Sequence, residues 1–257
     1  MKLWMDKVYQ KLNTNKTQLK FFKPETANIS FELKFEDTIL ESTDEINLLG
    51  VRISNNLDLK QFVAKKVQAC NFKLRNLSFI KDGLTFKTKI LMVTNLILSN
   101  LDYCNSVLAG VPKKLIKPLQ LILNRATRFI FNLTRRTHIK PFLKKLHFLP
   151  IQFRINFKLC LLAFKIYHGT APEYLIMKFI KYIPTTTINL RIGPGRDTYM
   201  FQNNFPPHKK STICDQIKQE WNSLPLYIRQ INTINTFKSQ LKAHFFTEAF
   251  HDVPSLT

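Results

Sequence analysis

The chain is 257 residues long, 45% hydrophobic, and carries 39 Lys and Arg against 17 Asp and Glu, a formal net charge of +22. That apolar content supports a buried core and excludes a disordered basic tail, while the charge asks for a polyanionic partner. Four scattered cysteines (Cys70, Cys104, Cys160, Cys214) exclude a Cys-x-x-Cys zinc site or a secreted disulfide scaffold, and the apolar run Ile90–Leu98 is too short for a bilayer.

Trp4, Val8 and Leu12 repeat at helical spacing and predict the end of a helix. Residues 18–23, 29–35, 38–41 and 46–54 then alternate or cluster in strand fashion, which predicts the edge of an α/β or α+β unit. From Lys60 onward the pattern turns helical. Val63, Val67, Cys70, Leu74 and Leu77 form one apolar stripe, and Leu115, Leu119, Ile122, Ala126, Phe129 and Leu133 form another. A third helix is predicted to open at Pro150 and to stop at Gly169, with Ile151, Ile155, Leu159, Leu162 and Ile166 as its buried stripe. Gly193-Pro-Gly-Arg196 and Pro206-Pro207 predict a flexible connection, since no Gly-Lys-Ser/Thr ending follows. Helix returns after Ser211, with Phe237, Leu241 and Phe245 as a packing face behind a cap at Asn235 or Thr236. The fold class is therefore mainly α with a small N-terminal α+β piece.

Charge divides the chain at the same place as the pattern. Residues 1–58 hold eight basic and nine acidic side chains, whereas residues 59–257 hold thirty-one basic and eight acidic ones. Between Asp102 and Glu173 there is no acidic residue, yet thirteen Lys and Arg. On the third helix, Arg154, Lys158 and Lys165 share one sector of the wheel with no acidic residue at i±4, unlike a solvated face that mixes signs. Arg125, Arg128 and, if the second helix runs on, Arg136 make another such sector, and Lys113, Lys114 and Arg135 complete the candidate nucleic-acid-binding set. The six histidines show no His-Glu-x-x-His spacing, and no metal site is expected.

A series of short signatures follows in order: Asn13-Thr-Asn-Lys16-Thr17, Leu48-Leu-Gly50-Val51, Leu101-Asp-Tyr-Cys-Asn105-Ser, Leu146-His-Phe-Leu-Pro150-Ile-Gln-Phe-Arg154-Ile, Phe164-Lys-Ile-Tyr-His-Gly169-Thr-Ala-Pro172-Glu-Tyr174-Leu, Trp221-Asn-Ser-Leu-Pro225, and Phe237-Lys-Ser-Gln-Leu241-Lys. Together they resemble the C-terminal part of the reverse transcriptase of non-LTR retrotransposons, of the LINE type and its CR1, L2 and jockey-like branches. Phe148 stands where that family usually has Trp, and His168 where Asn is more usual.

The resemblance implies three regions: the end of a polymerase palm over residues 1–58, a basic helical thumb-like domain over 59–182, and a loop with a C-terminal helical region over 183–257. It implies that the chain starts between the catalytic Tyr/Phe-x-Asp-Asp turn and the thumb, and so lacks the upstream palm and fingers. No two aspartates are adjacent in the chain, so a two-metal centre is not expected and the isolated chain should not extend a primer with Mg²⁺ or Mn²⁺. No cofactor is expected, Mg²⁺ belonging only to the complete polymerase. Lys16 matches the palm lysine to which the resemblance gives a role in pyrophosphate departure; supporting a helix C-terminus is its ordinary alternative. RNA and DNA are the expected partners through phosphate contacts, no membrane is expected, and the expected location is intracellular, nuclear or shared between nucleus and cytoplasm. Two alternatives stay open: a stand-alone basic module that binds nucleic acid without catalysis, and a domain whose basic face meets an acidic protein.

Overall fold

The computed structural model describes residues 7–9, 13, 16–20, 22, 32–35, 38–43, 45–54, 59–181, 199–202 and 213–253. The chain divides into two compact units, residues 1–65 and 66–257. The architecture is mainly helical, and among the described residues the short strands lie in the first unit.

That first unit contains two separate antiparallel hairpins, β1 (Glu32–Phe35) with β2 (Thr38–Glu41) and β3 (Glu45–Leu48) with β4 (Val51–Ser54). The sequence predicts one strand over 46–54, but the chain folds back at Leu49-Gly50. Both residues take positive φ, 49° and 80°, and Leu48 pairs with Val51 across a two-residue loop. Turns of this kind match the twist of the flanking strands; Gly50 adopts the conformation freely, while Leu49 does so against its Cβ. Glu45 holds the hairpin, accepting from Arg52 at 3.3 Å and from Gln61 at 2.8 Å. Of the predicted strand at 18–23, Leu19 makes only an isolated bridge to Ser42. Trp4, Leu12 and residues 29–31 lie outside the described residues, and Val8 is exposed.

The boundary between the units falls within α1 (Lys60–Phe79), seven residues beyond the charge boundary at Asp58. Of its predicted stripe Val63, Cys70, Leu74 and Leu77 are buried, while Val67 is half-buried. A short 3-10 turn (Lys81–Gly83) leads into α2 (Phe86–Val93), capped by the Thr85 hydroxyl, which accepts from the Thr88 amide at 3.2 Å. A π-helical turn (Thr94–Leu98) and α3 (Ser99–Asp102) continue it.

The second predicted stripe becomes α4 (Lys113–Phe131), and Asn132 ends it in the left-handed conformation at φ 56°, with the Leu133 amide bonded back to the Arg128 carbonyl. After the short α5 (Lys140–Lys145), α6 (Ile151–Tyr167) lies where Pro150 and Gly169 place it. Pro150 is its N-cap residue, and Gly169, at φ 71°, lets the Thr170 amide reach the Lys165 carbonyl at 2.8 Å. The rest comprises α7 (Glu173–Ile176), α8 (Ile213–Ser223), α9 (Leu226–Arg229) and α10 (Ile234–Phe250). Thr233, rather than Asn235 or Thr236, is the N-cap residue of α10; its hydroxyl donates to that of Thr236 at 2.8 Å. Gly193–Arg196 and Pro206-Pro207 lie outside the described residues.

α6 is the centre of the second unit, packing against α4, α8 and α10. α8 and α10 bury their apolar faces on α6 within one unit. Trp221, fully buried, stacks near-parallel on Tyr167 at 5.4 Å, lies 5.8 Å from Phe237, and donates its indole N–H to the Tyr199 carbonyl at 2.6 Å. Asn222 clasps the backbone of Phe201 through both its amide groups, at 2.9 Å each. Three of the sequence signatures thus meet in one aromatic cluster, where they hold the core together.

Candidate functional site

The basic residues of the second unit do two kinds of work. Lys66, Lys89, Lys218 and Arg229 are buried and serve the fold. The Lys66 ammonium donates to the carbonyls of Asn100 at 2.5 Å and Tyr103 at 2.7 Å, and its burial pushes its pKa down. Lys89 donates to the Asn132 side chain at 3.2 Å, and Arg229 to the Leu224 carbonyl at 2.9 Å.

Other cations converge on a concave site of about 640 Å³. Its walls are Ser78 at the end of α1, Lys81 of the 3-10 turn, Leu121, Arg125, Arg128 and Phe129 of α4, and Leu133 and Arg135 just beyond it. Among the described residues no acidic side chain lines it. Helical spacing puts Arg125 and Arg128 about one turn apart on α4, and the Asn132 reversal brings Arg135 back toward them. Arg125 donates to the Asn71 side chain, and Arg128 reaches the Thr137 carbonyl at 3.4 Å. The Arg128 Nε is buried without a hydrogen-bond partner. Four cations around one depression repel one another, and an anion seated between them relieves that repulsion while supplying acceptors for guanidinium forks.

Phe79, next to Ser78, is 76% exposed, with the Arg75 guanidinium 6.0 Å from its ring centre, and Leu121 is 51% exposed. Lys113 and Lys114 stand exposed in the first turn of α4, which carries no acidic residue, so their charge adds to the positive end of the helix dipole.

Three of the nine expected binding residues, Arg125, Arg128 and Arg135, therefore gather at one site. Lys113, Lys114, Arg136 and Lys165 are exposed but outside it. Arg154 differs from expectation. Its guanidinium grips the Asp102 carboxylate with two bonds, the Nε bond at 2.7 Å, so its charge is matched internally. The partner lies 52 positions upstream, beyond the reach of a search at i±4. Lys158, four residues on, is exposed and lines a different cavity. Lys81 is followed by Asp82, so in sequence the turn carries mixed charge. In the first unit Lys16 is exposed, its amide bonded to the Asn13 carbonyl at 3.1 Å.

Among the described residues no group of three or more His, Cys, Asp or Glu side chains is placed to hold a metal ion, and no helix is long and apolar enough to cross a membrane. No family model matches the chain, and neither a curated protein nor a solved structure matches it.

Proposed function

We propose that this chain is the end of the palm, the thumb and the following helical region of a non-LTR retrotransposon reverse transcriptase, and that its second unit grips template and primer through the Lys81, Arg125, Arg128 and Arg135 groove. The observation that carries the grip is the groove itself: four cations and, among the described residues, no carboxylate along a concave wall. The ordered signatures between Asn13 and Lys242 carry the family assignment. Contacts of this kind go to phosphates, so binding is largely blind to sequence and steep in salt. In this reading the chain contributes no catalytic metal centre of its own, and Mg²⁺ acts only in the complete polymerase. Its place of action is the nucleus, or nucleus and cytoplasm.

The test is the salt dependence of binding to a short RNA–DNA hybrid. Each phosphate neutralised contributes about 0.9 to the slope of log affinity against log salt. Replacing exposed Arg125 and Arg135 by Gln should lower that slope by about two units. An unchanged slope in this folded double variant removes the groove from the interface.

A further inference from the structure

The exposed side of α1 carries a stripe that the core does not use. Gln68, Phe72, Arg75 and Phe79 fall within a sector of about 60° on the helical wheel, and all four are exposed, the two rings by 65% and 76%. The two phenylalanines stand two helical turns apart, about 10 Å along the axis. None of the four residues is aliphatic, and α1 holds five basic residues and no acidic one.

This stripe runs beside the basic groove. Asn71, which accepts from Arg125, and Ser78, which lines the groove, each precede one of the rings by a single residue, about 100° round the helix. Arg75 lies between the two directions on the wheel, its guanidinium 6.0 Å from the Phe79 ring centre. Two bare rings on a strongly basic surface suit a partner that is flat, apolar on its faces and negatively charged. An amphipathic helix of another protein would need apolar contacts at every turn, and the neighbouring positions of the stripe are Gln68 and Arg75. A duplex hides its base faces in the stack, whereas an unpaired strand offers them. Stacked bases repeat at about 3.4 Å, so the two rings match bases about three steps apart, with Arg75 level with the phosphates between them.

We propose that this stripe is a track for single-stranded nucleic acid: unpaired bases of a strand that continues from the basic groove stack on Phe72 and Phe79, and Arg75 meets a phosphate between them. The inference rests on the reading of the groove as a nucleic-acid grip and adds where the unpaired part of the bound strand lies. Stacking accepts any base, so the track is as blind to sequence as the phosphate contacts are.

Fluorescence anisotropy of the full chain tests the track with a blunt RNA–DNA hybrid, the same hybrid with a short single-stranded overhang at either end, and hybrids whose overhangs carry abasic sugars and so the same charge without bases. At one end or the other, the base-bearing overhang binds about tenfold or more tighter than its abasic counterpart. Phe72→Ala with Phe79→Ala, two exposed positions, abolishes that preference and leaves the affinity and salt slope of the blunt hybrid unchanged. Arg75→Gln lowers the salt slope of a free single strand by about 0.7. No base preference in the unaltered chain, a preference that survives the double variant, or an equal loss of blunt-hybrid binding overturns the track. Loss of self-association by the double variant in sedimentation, with the base preference intact, also overturns it and assigns the stripe to contact between copies. Failure of the groove reading shows separately, as an unchanged salt slope in the Arg125 and Arg135 variant, and free base-bearing and abasic strands still test the stripe in that case.

Discussion

At the scale of single residues, Asp102 shows how the fold uses its scarce acids. It sits in a long stretch of one-signed charge and is spent on Arg154, whose side chain is only 17% exposed. Removing one partner of a half-buried pair leaves the other charge desolvated and unmatched. Asp102→Ala should therefore lower unfolding free energy by about 2 kcal/mol in urea titration, and the double change Asp102→Leu with Arg154→Met should restore most of it. No loss in the single variant would mean the pair is solvated. His168 gives a pH test. Burial, aided by the nearby Lys181 charge, pushes its pKa below the ordinary histidine value. Below the unfolded value near 6.5 the unfolded chain binds the extra proton first, so stability is full above about pH 6.5 and falls as pH drops through the lower folded value. Thermal melts should show this loss, and His168→Gln should flatten it over that window.

At the scale of elements, the helices were legible where side-chain period and end signals agreed. The α6 boundaries follow from Pro150 and Gly169, and the stripes of α1 and α4 are buried nearly as the spacing requires. Leu49-Gly50 misled because a Leu at positive φ is costly for its side chain, and local pattern reads Ile46 to Ser54 as one strand. The groove was half legible: Arg125 and Arg128 share a helix, but the return of Arg135 depends on the Asn132 reversal, and Lys81 comes from another element. The pairing of Arg154 with Asp102 was not legible because its acidic partner is remote in sequence. The first unit carries its own prediction. Phe22, Leu33, Ile39, Leu48 and Leu49 are exposed there, and short hairpins with apolar side chains outward invite pairing between chains. Deleting residues 1–55, which hold eight basic and eight acidic side chains, should reduce self-association in light scattering and leave hybrid affinity nearly unchanged. Unfolding of the helical unit on this deletion would show that the hairpins are integral to it.

For the whole molecule, the separation of charge is the governing fact. Residues 66–257 hold twenty-nine basic and eight acidic side chains, and several of the basic ones are buried in structural roles, so the remainder form a surface that favours dense negative charge. A nucleic-acid duplex and an acidic protein both answer that demand, and they differ in charge density and in the counterions released on binding. The most direct measurement is a competition: a fluorescent RNA–DNA hybrid bound to the full chain at near-physiological salt, displaced by unlabelled hybrid or by polyglutamate of equal total charge. The account predicts that the hybrid competes at least about tenfold more effectively per charge, about 1.4 kcal/mol of preference. Equal or better displacement by polyglutamate would contradict it and assign the basic groove to an acidic protein partner.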